Sequence, residues 1–326
     1  MRVLFLGTPR FAAVSLQALF DNGHDVCGVF TQPDRPSGRG NQLQASPVKT
    51  LAESRGITVF QPEKLRADEN NEIVENLDPD VIVTAAYGQI VPAWMLRLSR
   101  LYPLNIHASL LPRWRGAAPI ARAILAGDAV SGVTTMVMEE SLDSGGVFLR
   151  EEVPISIETT EGELTETLAE IGARLLLQTL EGLRSGALTP TPQDETQVTW
   201  ALKITKAESE VSWEQPAIEI HNRIRAINPN PGAFFNFMGE KIKLWRSMPA
   251  ESGWNASPGT LLGVVGNALR VACGGARAID IFEIQRPGKK RTSGREFAAG
   301  ARLKQGTSLM RSEELGVLSG YGKASI

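Results

Sequence analysis

Cysteine, histidine and tyrosine are scarce in this chain of 326 residues, which contains two, three and three of them respectively. The two cysteines, Cys27 and Cys273, stand far apart inside apolar runs. That excludes a disulfide framework and a cysteine-based zinc site, and with three scattered histidines no metal is expected. Reduced, buried thiols in a cytoplasmic protein are the expectation. No apolar run approaches the length of a membrane span, and "MRVLFLGTPR" turns polar too early for a signal peptide, so no membrane partner is expected. The first turn, "GTPRFA", lacks the G-x-G-x-x-G pattern that specifies dinucleotide binding, which makes a dehydrogenase the weakest enzyme candidate.

What is present is ordinary for a globular protein: 42% hydrophobic and 21% charged residues. The length favours two domains. The net charge of −2 conceals an asymmetry. Residues 1–202 hold 16 Lys and Arg against 25 Asp and Glu, a balance of −9. Residues 203–304 hold 16 against 9, a balance of +7. A basic second half fits a polyanionic partner as well as it fits a solvated surface.

The first half alternates strand-like and helix-like segments. "RVLFLG", "DVCGVFTQ", "ITVFQP", "DVIVTAAYG", "PLNIHAS", "GVTTMVME" and "GVFLREEVPI" read as strands. "FAAVSLQALFDNG", "SPVKTLAESRG", "ADENNEIVENL", "PAWMLRL", "AAPIARAILAG" and "TEGELTETLAEIGARLLLQTLEGLRSG" read as helices. This alternation argues for a mainly parallel, doubly wound α/β sheet. The Pro/Thr/Gln-rich stretch within 190–207 reads as a linker after a first domain of residues 1–189. Beyond it, one helix ("PAIEIHNRIRAIN") precedes five short strand-like runs, "GAFFNF", "KIKLWRS", "GTLLGVV", "ALRVACG" and "AIDIFEIQ". That pattern suggests a small β-barrel over residues 208–304. The tail, 305–326, has little hydrophobic periodicity and is expected to be peripheral.

"NIHASLLPRWRGAAPI" places Asn105, His107 and Ser109 at alternate positions near a strand end. A lone histidine in such a place is more often structural than chemical. "EESLDSGG" places Asp143 in a tight turn, by itself an ordinary feature. Together, Asn105, His107 and Asp143 make a different case. The amide can donate to an oxyanion, the imidazole can move a proton, and a carboxylate can orient the imidazole. Ser109 precedes a rigid Leu-Leu-Pro and lacks a second base, so no strong nucleophile accompanies the trio. The set suits direct attack of a substrate amine on a carbonyl, with no covalent enzyme intermediate.

"GTPRFAA", "VFTQPDRPSGRG", "SPVK", "AAYGQIVP", "NIHASLLPRWRGAAPI" and "SLDSGG" occur in the order and at the separations found in methionyl-tRNA formyltransferases, which this chain resembles. The match is dense in the first domain and looser in the second ("RIRAINPNPGAF", "PGTLL", "QRPGKK"). Ala108, where glycine or proline is frequent, and the tail depart from the common pattern. The resemblance implies a Rossmann-like formyltransferase domain with a mainly parallel sheet, followed by a small OB-like β-barrel. It implies transfer of formyl from 10-formyltetrahydrofolate to the α-amine of initiator methionyl-tRNA, without a metal, by a monomer. It makes Asn105, His107 and Asp143 the catalytic set, with Asn105 and a protonated His107 stabilising the oxyanion. Folate contacts fall on Tyr87, Gly88, Ser109, Leu110, Leu111 and Pro112. tRNA contacts fall on Arg35 and Arg39 in "TQPDRPSGRG", where Asp34 is expected to hold Arg35, and on Lys289, Lys290 and Arg291. Two alternatives stay open: a formyltransferase acting on a small amine, and a nucleic-acid-binding protein on a degenerate enzyme scaffold.

Overall fold

The computed structural model of the chain describes residues 1–37, 42–67, 69–250 and 255–310. They divide into two compact units. The first comprises Met1–Ile120, Ala129–Pro154 and Glu163–Leu202. The second comprises Ala121–Asp128, Ile155–Gly162 and the chain from Lys203 onward.

In the first unit, seven strands form one sheet in the order Val147–Pro154, Val130–Val137, Leu104–His107, Val81–Ala85, Arg2–Gly7, Asp25–Phe30 and Val59–Phe60. The last five of these pair in parallel. Val130–Val137 runs antiparallel to both of its neighbours. The sheet is therefore mainly parallel, as the alternation of segments predicts. Every residue of Val81–Ala85, and all but the first of Arg2–Gly7, is buried. Helices on both faces produce such continuous apolar strands.

Local chemistry explains the helix boundaries. The helix Arg10–Asp21 stops just before Gly23, whose φ of 71° takes the chain out of the turn. Ser46 caps Pro47–Ser54 by accepting the Lys49 N–H at 3.0 Å. The 25-residue helix Glu161–Ser185 buries a stripe that includes Leu164, Leu168, Leu175, Leu176 and Leu180. Burial pushes the Cys27 thiol up to about 11 and the Cys273 thiol up to about 12, and no disulfide joins the two. These thiols are protonated at neutral pH and poor nucleophiles. Cys27 is half-buried and not fully enclosed.

The stretch expected to be a linker is part of the first unit up to Leu202. Thr191 bridges Val147, and Trp200–Ala201 pairs in parallel with Arg115–Gly116. Its polar composition serves these backbone and side-chain bonds, which composition alone does not separate from solvent exposure.

The second unit carries the five expected strands as an antiparallel sheet in the order Ala233–Phe237, Glu240–Ala250, Arg277–Gln285, Ala268–Cys273 and Leu261–Val265. Thr292–Ser293 pairs with Arg277–Gln285. The helix Ala217–Ala226 contributes Ile220 and Ile224 to a core with Phe235, Leu244, Val271 and Ile281. The start of the tail is not peripheral: Leu309 is 1% exposed in this core, and Ser308 bridges Thr260. Residues 311–326 lie outside the described residues. His221 is buried, with Nε2 donating to the Ile157 carbonyl at 2.6 Å and Nδ1 beside the Ser247 hydroxyl at 3.0 Å. Burial lowers its pKa, as befits a neutral structural imidazole.

Also in the second unit, Arg122 pairs with Glu208 at 2.6 Å. The hydrogen bond from that guanidinium is the main reason the Glu208 carboxyl sits at about 2 instead of the ordinary 4.5. A folded-state pKa below the unfolded one adds stability that is complete above about 4.5 and fades as pH falls towards 2. Urea unfolding of wild type and Glu208→Gln at several pH values should therefore show a stability difference that is largest near neutrality. It should shrink as pH drops through 4. A difference independent of pH contradicts this assignment.

Candidate active site

The strand Arg2–Gly7 lies between Asp25–Phe30 and Val81–Ala85. This is where the strand order reverses, the position outside which open α/β sheets bind ligands. Side chains knit the loops that leave these strands. The Thr8 hydroxyl donates to the Tyr87 carbonyl at 2.9 Å and accepts the Gln32 N–H at 3.3 Å. The next strand outward, Leu104–His107, carries Asn105 and His107 to the same carboxyl edge.

Asp143 meets both residues. Its Oδ1 lies 3.5 Å from Asn105 Nδ2, and its Oδ2 lies 3.7 Å from His107 Nδ1. The His107 and Asp143 side chains are 6% and 13% exposed, so the approach takes place largely out of water. The backbone N–H of Gly116 donates to Asp143 Oδ2 at 2.9 Å, a closer grip on the carboxylate than either side chain provides. On the other side of the ring, His107 Nε2 lies 2.9 Å from the Trp114 carbonyl. A carbonyl only accepts, so this nitrogen carries hydrogen. The imidazole is thus held by a main-chain oxygen at Nε2, with the Asp143 carboxylate facing Nδ1 from 3.7 Å. Thirty-eight positions along the chain separate Asn105 from Asp143, and the fold brings the two side chains together.

The loop after His107 is locked by Thr134. Its hydroxyl donates to the Ser109 carbonyl at 2.7 Å and accepts the Leu111 N–H at 3.2 Å. Ser109 is fully buried and its hydroxyl donates to the Arg113 carbonyl at 2.6 Å. A hydroxyl engaged in this way is not poised as a nucleophile.

The expected folate residues separate into two groups. Gly88 is exposed, and Leu110 and Pro112 are half-buried. Tyr87, Ser109 and Leu111 instead turn inward. Tyr87 is 2% exposed in a cluster with Leu4, Phe30 and Met95, where burial raises its phenol pKa. Leu111 packs with Met136 and Val147. The side chains of all three are buried.

Among the expected polyanion contacts, Asp34 does not hold Arg35. It accepts Lys49 Nζ at 2.6 Å and Gln61 Nε2 at 2.7 Å, while Arg35 reaches Gln32 Oε1 at 3.3 Å. Arg39 lies outside the described residues. In the second unit, Lys289 and Lys290 are exposed. Arg291 stacks over the Trp245 ring at 3.9 Å and lies 3.5 Å from Glu283. Sequence reasoning does not single out Arg115, Gln193 and Glu195, which surround the Asp143 turn. Two arginines beside a tryptophan in "LPRWRG" are the signal that points to the first.

Comparison with known proteins decides the family. Residues 1–180 match the formyl transferase family and residues 203–302 match its C-terminal domain. The chain belongs to the formyl transferase family. A formyl transferase relative, the methionyl-tRNA formyltransferase of Methylibium petroleiphilum, is 48% identical over 92% of this chain and 96% of that protein. Solved structures share the fold. The sugar 3N-formyl transferase WlaRD, solved in the presence of dTDP and 5-N-formyl-THF, has a TM-score of 0.64 at 18% identity, covering 89% of this chain and 99% of that one. HypX from Aquifex aeolicus, in complex with tetrahydrofolic acid, has a TM-score of 0.60 at 21% identity over 91% of this chain. The match covers 47% of HypX, so this formyl transferase spans about half its length. No group of His, Cys, Asp and Glu suited to a metal ion occurs among the described residues. Among them, too, no helix is long and apolar enough to cross a membrane.

The grip of Gly116 on Asp143 depends on its lack of a side chain. Its φ is 124°, and a Cβ there would lie 2.7 Å from the Ala201 carbonyl oxygen. Gly116→Ala should therefore cost about 1–3 kcal/mol of stability, from backbone strain and the forced shift of Trp200–Ala201. Denaturant unfolding reads this directly. An unchanged midpoint contradicts the close approach.

Proposed function

We propose that the chain transfers the formyl group of 10-formyltetrahydrofolate to the α-amine of initiator methionyl-tRNA, in the cytoplasm, for use in translation initiation. The observation that carries the reading is the convergence of Asn105, His107 and Asp143 at the carboxyl edge of the sheet, in a chain nearly half identical to a methionyl-tRNA formyltransferase. The basic balance of residues 203–304 supports a polyanionic acceptor.

The chemistry follows from the groups present. The amine nitrogen attacks the formyl carbon, and the carbonyl electrons move onto oxygen. Asn105 Nδ2 has two hydrogens, of which one faces Asp143 across 3.5 Å; the other serves the oxyanion. His107, held at Nε2 by the Trp114 carbonyl, offers Nδ1 to the reacting centre as the second polar contact. Collapse breaks the bond from carbon to N10, whose electron pair takes a proton while the former amine loses one. Asp143 assists that proton movement. The products are formylmethionyl-tRNA and tetrahydrofolate, and no protein side chain is acylated. Gly88, Leu110 and Pro112 offer surface to the folate, with the backbones of Tyr87, Ser109 and Leu111 behind them.

Purified protein supplied with labelled 10-formyltetrahydrofolate and methionyl-tRNA should yield formylmethionyl-tRNA. His107→Ala and Asp143→Ala should each lower turnover by roughly 10²–10⁴, with folding intact by circular dichroism. Label transferred preferentially to an amino-sugar nucleotide supports the small-amine alternative instead. Near-normal turnover in either variant removes the catalytic assignment.

A salt titration of tRNA affinity checks the second unit. Removing one cation that neutralises a phosphate flattens the logarithmic salt slope by about 0.7–0.9. Changing Lys289, Lys290 and Arg291 together to alanine should therefore flatten it by about two. The contribution of Arg291 is reduced because it is already engaged by Trp245 and Glu283. An affinity that ignores salt in the wild type argues against this surface.

A further inference from the structure

We propose that Gln193 is a positioning residue for formyl transfer: it sets the Asp143 carboxylate by clamping the main chain around it, and is itself aimed by Arg115. The inference rests on the formyl-transfer reading above.

Asp143 needs such a clamp. It sits at a φ of 51°, in the left-handed region, which aspartate enters more readily than most non-glycine residues but which still costs free energy that contacts must offset. Gly145 and Gly146 follow, where a Cβ would meet the Val137 carbonyl oxygen and Pro190, so the chain there passes close to its neighbours but the Asp143 peptide itself is not held by them. The contacts of the carboxylate with Asn105 and His107 are 3.5 and 3.7 Å, too long to fix its place by themselves. Gly116 holds one carboxylate oxygen at 2.9 Å but does not restrain the peptide planes beside it.

Gln193 restrains them. Its Nε2 donates to the Asp143 carbonyl at 2.9 Å and to the Gly145 carbonyl at 2.8 Å, which uses both amide hydrogens. Its Oε1 accepts from Arg115 Nε at 3.1 Å and from an Arg115 terminal nitrogen at 2.9 Å. The amide is fully satisfied in one orientation only. Turned over, it would set an oxygen against two carbonyls and an NH₂ against a cation. Arg115 is 4% exposed, and its fork also takes both oxygens of Glu195, at 2.7 and 3.1 Å. This bidentate pairing fixes the plane of the guanidinium. One dipeptide thus supplies both grips. The Arg115 side chain orients the residue that holds the Asp143 backbone, and the next N–H, from Gly116, holds the Asp143 side chain.

The test is steady-state kinetics on the full chain, with Gln193→Met as a near-isosteric apolar replacement. The kcat of formylation should fall about 10- to 100-fold, while KM for folate and for methionyl-tRNA stays within about 2-fold, because the loss acts on the transition state. In an Asp143→Ala background the same change should lower kcat by less than about 2-fold, since a residue acting through Asp143 has nothing left to place. A general structural defect would instead add its full effect. If Gln193→Met does not fold, Gln193→Glu gives the same reading, because it keeps Arg115 as partner but faces both carbonyls with oxygen. A wild-type kcat in the variant, or an undiminished effect in the Asp143→Ala background, overturns the clamp alone. Absence of formyl transfer by the wild type overturns the functional reading and the clamp with it.

Discussion

The hydrogen bond from the Gly116 N–H to Asp143 Oδ2, 2.9 Å long, is the contact on which the site depends. It fastens a carboxylate from a tight turn to a segment that is itself bonded to Thr199 and paired with Trp200–Ala201. Arg115 N–H donates to the Thr199 carbonyl at 2.9 Å, and Trp114 N–H to the Thr199 hydroxyl at 2.9 Å. The Trp114 carbonyl then receives His107 Nε2. The segment Trp114–Gly116 therefore touches His107 on one side and Asp143 on the other. Asn105 and His107 need no special device to reach the same place, because alternate residues of a strand point the same way.

Rigid main-chain contacts of this kind suit a reaction that has no covalent stage. Ser109 is buried and donates to a carbonyl, and both cysteines are held in the protonated form by burial. None of these three is prepared to attack the formyl group in place of the substrate amine. In the proposed reaction the site supplies fixed dipoles and an imidazole already in place before charge develops.

Much of this is legible in the sequence, and the exceptions have physical reasons. The parallel sheet follows from strand runs such as "RVLFLG" and "DVIVTAAYG", since continuous burial leaves a continuous apolar signature. The trio is legible as residue types near strand ends and turns, although its geometry depends on pairing across 38 residues. Composition suggests a linker in 190–207, yet Gln193 and Glu195 bond to Arg115 and Thr199 to Trp114, beside the proposed site. A polar side chain bonded to a buried arginine and one bonded to water look alike in a sequence. Tyr87 illustrates the converse: its neighbours in "AAYGQI" suggest a ligand loop, whereas its ring belongs to the core. Asp34 pairs with Lys49 instead of adjacent Arg35, because the fold brings the start of a distant helix beside it.

In the proposed reaction formyl passes directly from folate to the amine, directed by a carboxylate that the backbone holds in place. Rapid acid quench of a single turnover tests it most directly, with enzyme in excess over carbon-labelled 10-formyltetrahydrofolate and methionyl-tRNA present. Label should pass from folate to tRNA with a single rate, and none should precipitate with denatured protein at any time. Transient labelling of the protein, rising before formylmethionyl-tRNA and decaying into it, contradicts the account.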